Sequence, residues 1–241
     1  MTQPNRRTFL TLAGAAPLLA EPAPPSRPSK IVVVGAHPDD PESACAGTIA
    51  RYTSAGHSVT VVYLTRGEAG IRGKSHSEAA AIRTAEAQDA CRILGARAVF
   101  AGQIDGATEV TPARSAQFHQ LIAAEQPDVL FTHWPLDTHP DHRAASLLAY
   151  GAWLALKRQP LCFFFEVTTN SGRQSLQFSP TVFVDISGSA DRKRQAIYAH
   201  ASQGPEHFFP AHDDLALARG LEAGCPRAEA FAPAWRPGPL P

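Results

Sequence analysis

Two short segments of the chain combine histidine and aspartate side chains at spacings that suit metal chemistry. The first is HPDDPE at residues 37–42, and the second is DTHPDH at residues 137–142. Imidazole nitrogens and carboxylate oxygens are the ligands that zinc accepts when thiolates are absent. The four cysteines are scattered singly, without the clustered spacing of a thiolate site. The two segments therefore predict a zinc site made of histidine and aspartate.

The elements that would position these segments alternate between strand and helix. Predicted strands cover residues 30–36, 58–64, 98–101, 127–133, 161–167 and 181–184, and predicted helices cover 42–55, 77–94, 113–125, a segment ending at 156, 188–201 and 213–221. The unbroken run KIVVVGA of the first strand is typical of a strand buried on both faces of a parallel sheet. The alternation predicts an α/β, Rossmann-like three-layer fold with a mostly parallel central sheet. Both segments then lie at the carboxyl edge of the sheet, where such folds bind ligands.

Each segment also has the composition of a helix start. Asp40 followed by Pro41 suits an N-cap and a first helical residue, and Thr138 or Asp141 suits an N-cap in the second segment. Capping alone does not require three histidines and four aspartates gathered at one edge of a sheet. We therefore favour a metal site over two simple helix starts.

The composition argues against several other classes of protein. Basic and acidic residues both number 22, so no basic field is available to neutralise nucleic-acid phosphates. No segment reaches the roughly 18 to 20 apolar residues of a transmembrane helix. The first strand is not followed by G-x-G-x-x-G, and no G-x-S-x-G elbow occurs, which disfavours a dinucleotide site and a serine hydrolase.

The two ends of the chain differ in composition from its middle. Residues 1–20 contain the basic segment NRRTFL and then a short apolar run, which is typical of a twin-arginine signal peptide. The alternative is an N-terminal helix packed on the domain, which the prolines that follow would interrupt. We predict a signal peptide at 1–20, a Pro-rich linker at 21–29, a single α/β domain at 30–231 and a Pro-rich tail at 232–241. The leader predicts export through the twin-arginine machinery, to the periplasm or outside the cell.

Five motifs taken together resemble those of the LmbE-like (PIG-L type) N-deacetylases. They are HPDD at 37–40, TRGEAG at 65–70, Arg83 with Glu86, HPDH at 139–142 and HASQ at 200–203. The resemblance covers residues 30–231 and implies that this segment is a deacetylase domain. Two positions depart from the family pattern. Pro41 stands where glutamate is usual, with Glu42 one place later, and Arg227 stands where a C-terminal G-x-x-Y-A-E-x-F ending has tyrosine.

The resemblance implies which residues hold the metal and which residue is the base. One zinc ion would be bound by His37, Asp40 and His142, and three protein ligands leave the fourth position to water, as a catalytic zinc requires. Zinc brings the pKa of bound water close to neutral. Asp39, which is adjacent to a ligand but free of the metal, would take the proton as general base.

The resemblance also suggests roles for residues around the metal. His139 would be the cation that stabilises the oxyanion, or the acid that protonates the departing amine, and Asp141 would orient it and keep it charged. His133 would lie behind the metal ligands. Weaker candidates for substrate contact are Arg66, Arg83, His200 and Arg227. For Arg83 a solvated helix face is the alternative, and Arg227 would meet an anionic group of the substrate.

These assignments predict a zinc-dependent hydrolase that removes an acetyl group from an N-acetylated amino sugar or glycoconjugate. One alternative is an amidase acting on another small amide, because the same machinery cuts any accessible amide. Another is a periplasmic module that binds a metal or a sugar without catalysis. An intact Asp39 argues against that module, since binding alone needs no base. The expected partner is a small molecule, and a homo-oligomer is left open.

Overall fold

The computed structural model describes residues 27–157, 159–167 and 178–234. The predicted signal peptide, most of the predicted linker and residues 235–241 of the tail lie outside the described residues. The strands are β1 (Lys30–Gly35), β2 (Ser58–Tyr63), β3 (Arg97–Phe100), β4 (Val129–His133), β5 (Leu161–Phe165), β6 (Val182–Asp185) and β7 (Ala228–Pro233). The helices are α1 (Asp40–Ser54), α2 (His76–Leu94), α3 (Pro112–Glu125), α4 (Pro140–Ala155), α5 (Ala190–Tyr198) and α6 (Pro205–Ala223), with short 3-10 helices at Ser187–Ser189 and Ala201–Gln203. None of these described helices has both the length and the apolar composition that a bilayer-spanning segment needs.

The described strands form one mixed sheet in the order β3-β2-β1-β4-β5-β7-β6. Strands β1 to β5 are mutually parallel, and β7 runs antiparallel to both β5 and β6. Because β1 and β4 are parallel neighbours, the residues that follow Gly35 and His133 emerge side by side at the carboxyl edge. The loops after β2 and β3 emerge at the same edge. This topology brings the two predicted segments together.

Helices cover both faces of the sheet, and β1 shows why. Ile31 and Val33 pack on the face covered by α1, α2 and α5. Val32 and Val34 pack on the opposite face, which α3 and α4 cover. All four side chains are at most 1% exposed, as the unbroken apolar run of β1 predicts. The predicted α/β three-layer fold with a mostly parallel sheet is confirmed.

Two elements near the C terminus differ from the predicted ones. The predicted helix at 213–221 begins earlier, because α6 starts at Pro205 and continues through Pro210. Pro205 lies in the first helical turn, where a missing N–H has no intrahelical partner to lose. Strand β7, with the sequence AEAFAP, is absent from the predicted strands because alanine, glutamate and proline are depleted in strands. Pairing with β5 and β6 provides the hydrogen bonds that local propensity does not favour.

Candidate metal and catalytic site

The first segment makes a tight turn between β1 and α1. Gly35 is required at the end of β1, since a Cβ atom there would lie 2.6 Å from two ring carbons of Pro41. Oδ2 of Asp40 accepts the backbone N–H of His37 at 2.8 Å and closes the turn. The N-cap position of α1 is Asp39, and Asp40 is the first helical residue. The capping alternative therefore placed the cap one residue too late.

The second segment is held by hydrogen bonds within its own turn. Oδ1 of Asp137 accepts the backbone N–H of His139 at 2.8 Å. Nδ1 of His139 in turn accepts the backbone N–H of Asp141 at 3.2 Å, so His139 is the N-cap of α4. Neither Thr138 nor Asp141 occupies that position. Since Nδ1 accepts a hydrogen bond, a neutral His139 carries its proton on Nε2.

Asp40 lies between two imidazole rings, one from each segment. Its Oδ2 is 3.2 Å from Nδ1 of His37, and its Oδ1 is 3.2 Å from Nε2 of His142. Ligand atoms of a tetrahedral zinc lie roughly 3.3 Å apart, given bonds of about 2.0–2.1 Å. Each of the two pairs has such a spacing, but the pairs use different oxygens of Asp40, so these distances alone do not place three ligand atoms around one point. Burial acts to raise the pKa of Asp40, but the neighbouring His142 and His133 hold that pKa well below its usual value.

In the described part of the chain, three groups of histidine and carboxylate side chains have ligand atoms close enough together to hold one metal ion, and the predicted set of His37, Asp40 and His142 is not one of them. These groups are His37 with His139 and His142, Asp40 with His133 and His142, and His37 with Asp105 and Asp141. His133 is fully buried, accepts the backbone N–H of Ala36 at Nε2, and stacks on His142 with ring centroids 4.1 Å apart. Because His133 also shares one of these groups with Asp40 and His142, its expected place behind the metal ligands stays a prediction.

The carboxylate of Asp141 contacts His37, and no described contact joins it to the ring of His139. Its Oδ2 is 3.1 Å from Nε2 of His37 and accepts the backbone N–H of Gly106, while its Oδ1 accepts the hydroxyl of Thr108 at 2.7 Å. Burial would raise the pKa of Asp141, but His37 and these donors keep it below its usual value. The Asp141 carboxylate thus contacts His37, a predicted metal ligand, while its backbone N–H donates to Nδ1 of His139. Burial, His142 and His37 lower the pKa of His139, and the charges of Asp40 and Asp141 oppose that shift.

Asp105 is a residue of this site that the sequence analysis did not identify. Its Oδ1 lies 3.2 Å from Nε2 of His37, and its Oδ2 accepts the backbone N–H of Ala69 at 3.0 Å. Burial would lower the pKa of His37, but Asp105, Asp141 and Asp40 together raise it well above its usual value. The available signal was an Asp-Gly turn shortly after the third predicted strand, at the same edge of the sheet.

Asp39 is separated from the Asp40 cluster by its own set of partners. Its Oδ2 accepts a hydrogen bond from Nη2 of Arg83 at 3.0 Å, and its backbone N–H donates to Oε2 of Glu42 at 3.1 Å. Burial raises the pKa of Asp39, while the charge of Arg83 opposes that shift. Asp39 therefore has a carboxylate that is adjacent to the cluster but belongs to none of the metal-binding sets among the described residues.

Two residues predicted to contact substrate are buried behind the site. Arg83 is only 3% exposed, so neither a solvated helix face nor an open substrate contact describes it. His200 is fully buried, and its Nε2 lies 3.4 Å from Oε2 of Glu42. Burial would lower the pKa of His200, but Glu42 and Asp39 raise it. Both side chains thus act on the turn around Asp39 and do not reach an open surface.

The other two candidates for substrate contact lie at the surface. Arg66 is exposed, with its guanidinium 5.7 Å from the ring centroid of Phe100. Arg227 forms a two-point ion pair with Asp213, through Nε at 2.8 Å and Nη2 at 3.0 Å. Its guanidinium is thus already paired with a carboxylate of α6, and no described contact joins it to the histidine cluster. Arg66 is thus accessible on the loop after β2, and its place at the rim of the site stays a prediction.

Comparisons with known proteins place this chain among relatives of the same architecture. Residues 32–153 match the family model GlcNAc-PI de-N-acetylase (PIG-L). The diacetylchitobiose deacetylase of Thermococcus kodakarensis is 30% identical over 218 residues, which cover 83% of this chain and 81% of that enzyme.

Solved structures show the same fold. The N,N'-diacetylchitobiose deacetylase of Pyrococcus horikoshii has a TM-score of 0.75 at 24% identity, covering 85% of this chain and 84% of that one. GalB, the 4-carboxy-2-hydroxymuconate hydratase of Pseudomonas putida, has a TM-score of 0.78 at 24% identity, covering 88% and 99%. At these identities the two structures establish the fold alone. The family model and the sequence relative confirm both the predicted resemblance and the enzyme class: the chain belongs to the PIG-L (LmbE-like) family and is an N-deacetylase.

Proposed function

We propose that this protein removes the acetyl group from an N-acetylated amino sugar or glycoconjugate, with one zinc ion bound by His37, Asp40 and His142. The observation that supports this best is the cluster of histidine and carboxylate side chains at the carboxyl edge, in which His37, Asp40 and His142 each belong to a group that could hold a metal ion. Asp40 lies 3.2 Å from each of the two imidazoles, and Asp39 is adjacent but belongs to none of these groups. The sugar class follows from the relative that is a diacetylchitobiose deacetylase. Zinc, when bound, polarises the acetyl carbonyl and lowers the pKa of water.

Asp39 is the general base of this proposal. Its carboxylate is partly exposed, at 21% of the side chain, whereas the side chain of Asp40 is only 6% exposed. An attacking water can therefore meet Asp39, which takes the proton as the water oxygen bonds to the acetyl carbon. Positioned proton transfer of this kind typically contributes a factor of about 10² to 10⁴ to the rate.

His139 is the hydrogen-bond donor of the proposal. It is half-buried and carries its proton on Nε2, because Nδ1 accepts the N–H of Asp141. Its ring centroid lies 4.9 Å from that of His37 and 4.7 Å from that of His142. His139 thus donates a hydrogen bond to the carbonyl oxygen as negative charge develops there. Collapse of the tetrahedral species breaks the C–N bond, and the amine nitrogen takes a proton as acetate leaves.

The test is release of a free amine from diacetylchitobiose and from N-acetylglucosamine, measured together with the metal content of the purified protein. We expect turnover with one equivalent of zinc, loss of turnover after chelation, and recovery when zinc is added back. An amide without a sugar, such as an N-acetylated amino acid, is the control for the amidase alternative. Turnover on that amide alone would replace the sugar assignment, and tight metal binding without any turnover would favour the binding module.

The proposal includes export by the twin-arginine route, supported by Arg6 and Arg7 ahead of a short apolar run. These residues lie outside the described part of the structure. Replacing both arginines with lysine keeps the charge but removes the pair that the route requires. We expect the double variant to accumulate as cytoplasmic precursor, measured by fractionation and the mass of the mature N terminus. Mature protein outside the cytoplasm at the unchanged level would contradict the route.

A further inference from the structure

The backbone at Asp39 has a conformation that non-glycine residues rarely adopt. Its φ is 108°, in the left-handed region, and apart from Gln126 it is the only such residue among the described non-glycine positions. A backbone of this kind persists only where surrounding contacts enforce it, and such positions cluster at functional sites. The contacts of Asp39 therefore identify the groups that enforce this backbone conformation.

Two buried side chains hold this residue from opposite sides. Nη2 of Arg83 donates to the carbonyl of Pro38, directly before Asp39, and to Oδ2 of Asp39 itself. Oε2 of Glu42 accepts the backbone N–H of Asp39. The peptide before Asp39, its N–H and its carboxylate are thus all fixed by partners that are not the predicted metal ligands.

Arg83 and Glu42 are themselves held by Tyr63 of β2 and by two other motifs. The guanidinium of Arg83 packs against the TRGEAG loop, where a Cβ atom at Gly67 or Gly70 would lie 2.4 Å or 2.2 Å from Nη1. Glu42 accepts the hydroxyl of Tyr63 at Oε1 and faces His200 at Oε2.

The same helix is tied to the C-terminal motif. Oε1 and Oε2 of Glu86, one turn beyond Arg83, accept the backbone N–H and the hydroxyl of Ser202, both at 2.7 Å. The TRGEAG loop, the pair Arg83 and Glu86, and the HASQ segment therefore all support the turn at Asp39. The effect of this support on Asp39 requires an explanation.

We infer that Arg83 and Glu42 are positioning residues that form a clamp, which keeps the Asp39 carboxylate out of metal coordination and so gives two adjacent aspartates different roles. The inference deepens the proposed function and rests on its metal site. The Asp39 carboxylate is largely withdrawn from solvent, with 21% of its side chain exposed, and a nearby positive charge stabilises its ionised form. With Arg83 in place that charge is the guanidinium, and without it the nearest alternative is the metal bound to Asp40. The clamp thus preserves Asp39 as a base.

Cobalt(II) substitution tests this independently of turnover, because its visible absorption weakens as the coordination number rises. The clamp is loosened in Arg83→Met and in Glu42→Gln. A gentler variant is Gly70→Ala, whose added methyl group displaces the flexible end of Arg83 and meets nothing closer. Gly151→Ala is the matched control, since its Cβ atom has open space around it. We expect weaker cobalt absorption in the three clamp variants and the wild-type spectrum in the control.

Adding Asp39→Asn to each clamp variant identifies the new ligand. We expect this second change to restore the wild-type spectrum, because an amide replaces the carboxylate that has moved to the metal. In the zinc enzyme, the clamp variants should lower kcat by about 10²-fold, the scale of a misplaced catalytic group, with KM unchanged. Arg83→Lys, which keeps the charge, should recover part of kcat.

The outcomes separate the inference from the function on which it rests. Cobalt spectra that are identical in all variants would overturn the clamp while leaving the metal site intact. A raised KM at constant kcat would assign Arg83 to substrate contact instead. Wild-type protein that binds cobalt and shows the expected spectra, but releases no amine, would overturn the deacetylase function and keep the clamp. A wild type that binds no cobalt would overturn both.

Discussion

The two histidine segments at the carboxyl edge are held in place by different means. Residues 37–42 are supported by side chains distant in sequence, namely Arg83 from α2, Tyr63 from β2 and His200 from the C-terminal region. Residues 137–142 are held by hydrogen bonds within their own turn, from Asp137 to His139 and from His139 to Asp141. The loop after β3 supports them too, because Gly106 and Thr108 donate to the Asp141 carboxylate. Arg143 adds a bond to the carbonyl of Asp137 from the first turn of α4.

Exposure to solvent follows the same division. The first segment is buried except for the partly open carboxylate of Asp39, whereas the second is exposed at Thr138 and Pro140 and half-buried at His139. A buried segment that distant side chains support holds the proposed base and the proposed metal ligands at fixed relative positions. A partly open segment offers a donor that substrate can reach. This difference suits the proposed roles of Asp39 as a base beside the ligands His37 and Asp40, and of His139 as a donor to the substrate.

The largest expected effect comes from separating the two aspartates of the first segment. Asp40→Ala removes the carboxylate between two imidazoles, and should empty the site of zinc and abolish turnover. Asp39→Asn keeps a residue that tolerates a left-handed backbone, so it should retain zinc and substrate affinity while lowering kcat by about 10² to 10⁴. Metal analysis and steady-state kinetics measure both.

One combination of results would change this assignment. An Asp39→Asn protein without zinc, beside an Asp40→Ala protein that keeps it, would exchange the two roles. His142→Ala is the control from the second segment and should match Asp40→Ala, since each contributes one predicted ligand.

A smaller effect is expected from Asp141→Asn, where sequence and structure give different expectations. If Asp141 orients His37, as its 3.1 Å contact indicates, the variant should bind zinc about 10 to 100-fold more weakly, the usual cost of losing a residue that orients a metal ligand. If it orients only His139, zinc affinity should stay normal and kcat alone should fall. Competition for zinc against a chelator of known affinity decides between them, with Asp105→Asn as the comparison for the other carboxylate on His37.

The smallest effect is expected from Thr108→Val, which removes one of the hydrogen bonds to Asp141 but keeps the side-chain shape. The loss should cost about 0.5 to 1.5 kcal/mol of the free energy of unfolding. Zinc affinity should fall less than in Asp141→Asn, because Gly106 still donates to the same carboxylate. Thermal unfolding and the same chelator competition measure both effects. A variant as weak in zinc binding as Asp141→Asn would mean that Thr108 is essential to that carboxylate's position.

The sequence by itself determined the α/β class, the strands that carry the site and the meeting of the two histidine segments at one edge. Each of these follows from local patterns, because the apolar run of β1 and the alternation of strand and helix are typical of a parallel sheet, and the carboxyl ends of parallel strands share an edge. The family motifs likewise identified candidate site residues from local sequence, namely Asp39, Asp40, His37 and His142. Those predictions depended on residue type and order alone.

Only the tertiary structure determined which partner each charged side chain contacts. In the structure, the Asp141 carboxylate contacts His37, and Asp105 from the loop after β3 contacts the same ring. Arg83 and His200 are buried against the turn of Asp39. Arg227 pairs with Asp213. A carboxylate or a guanidinium pairs with whatever opposite charge or donor lies within hydrogen-bond distance. Those distances join residues far apart in the chain, so they are set by the packing of the helices on the sheet and by no local pattern.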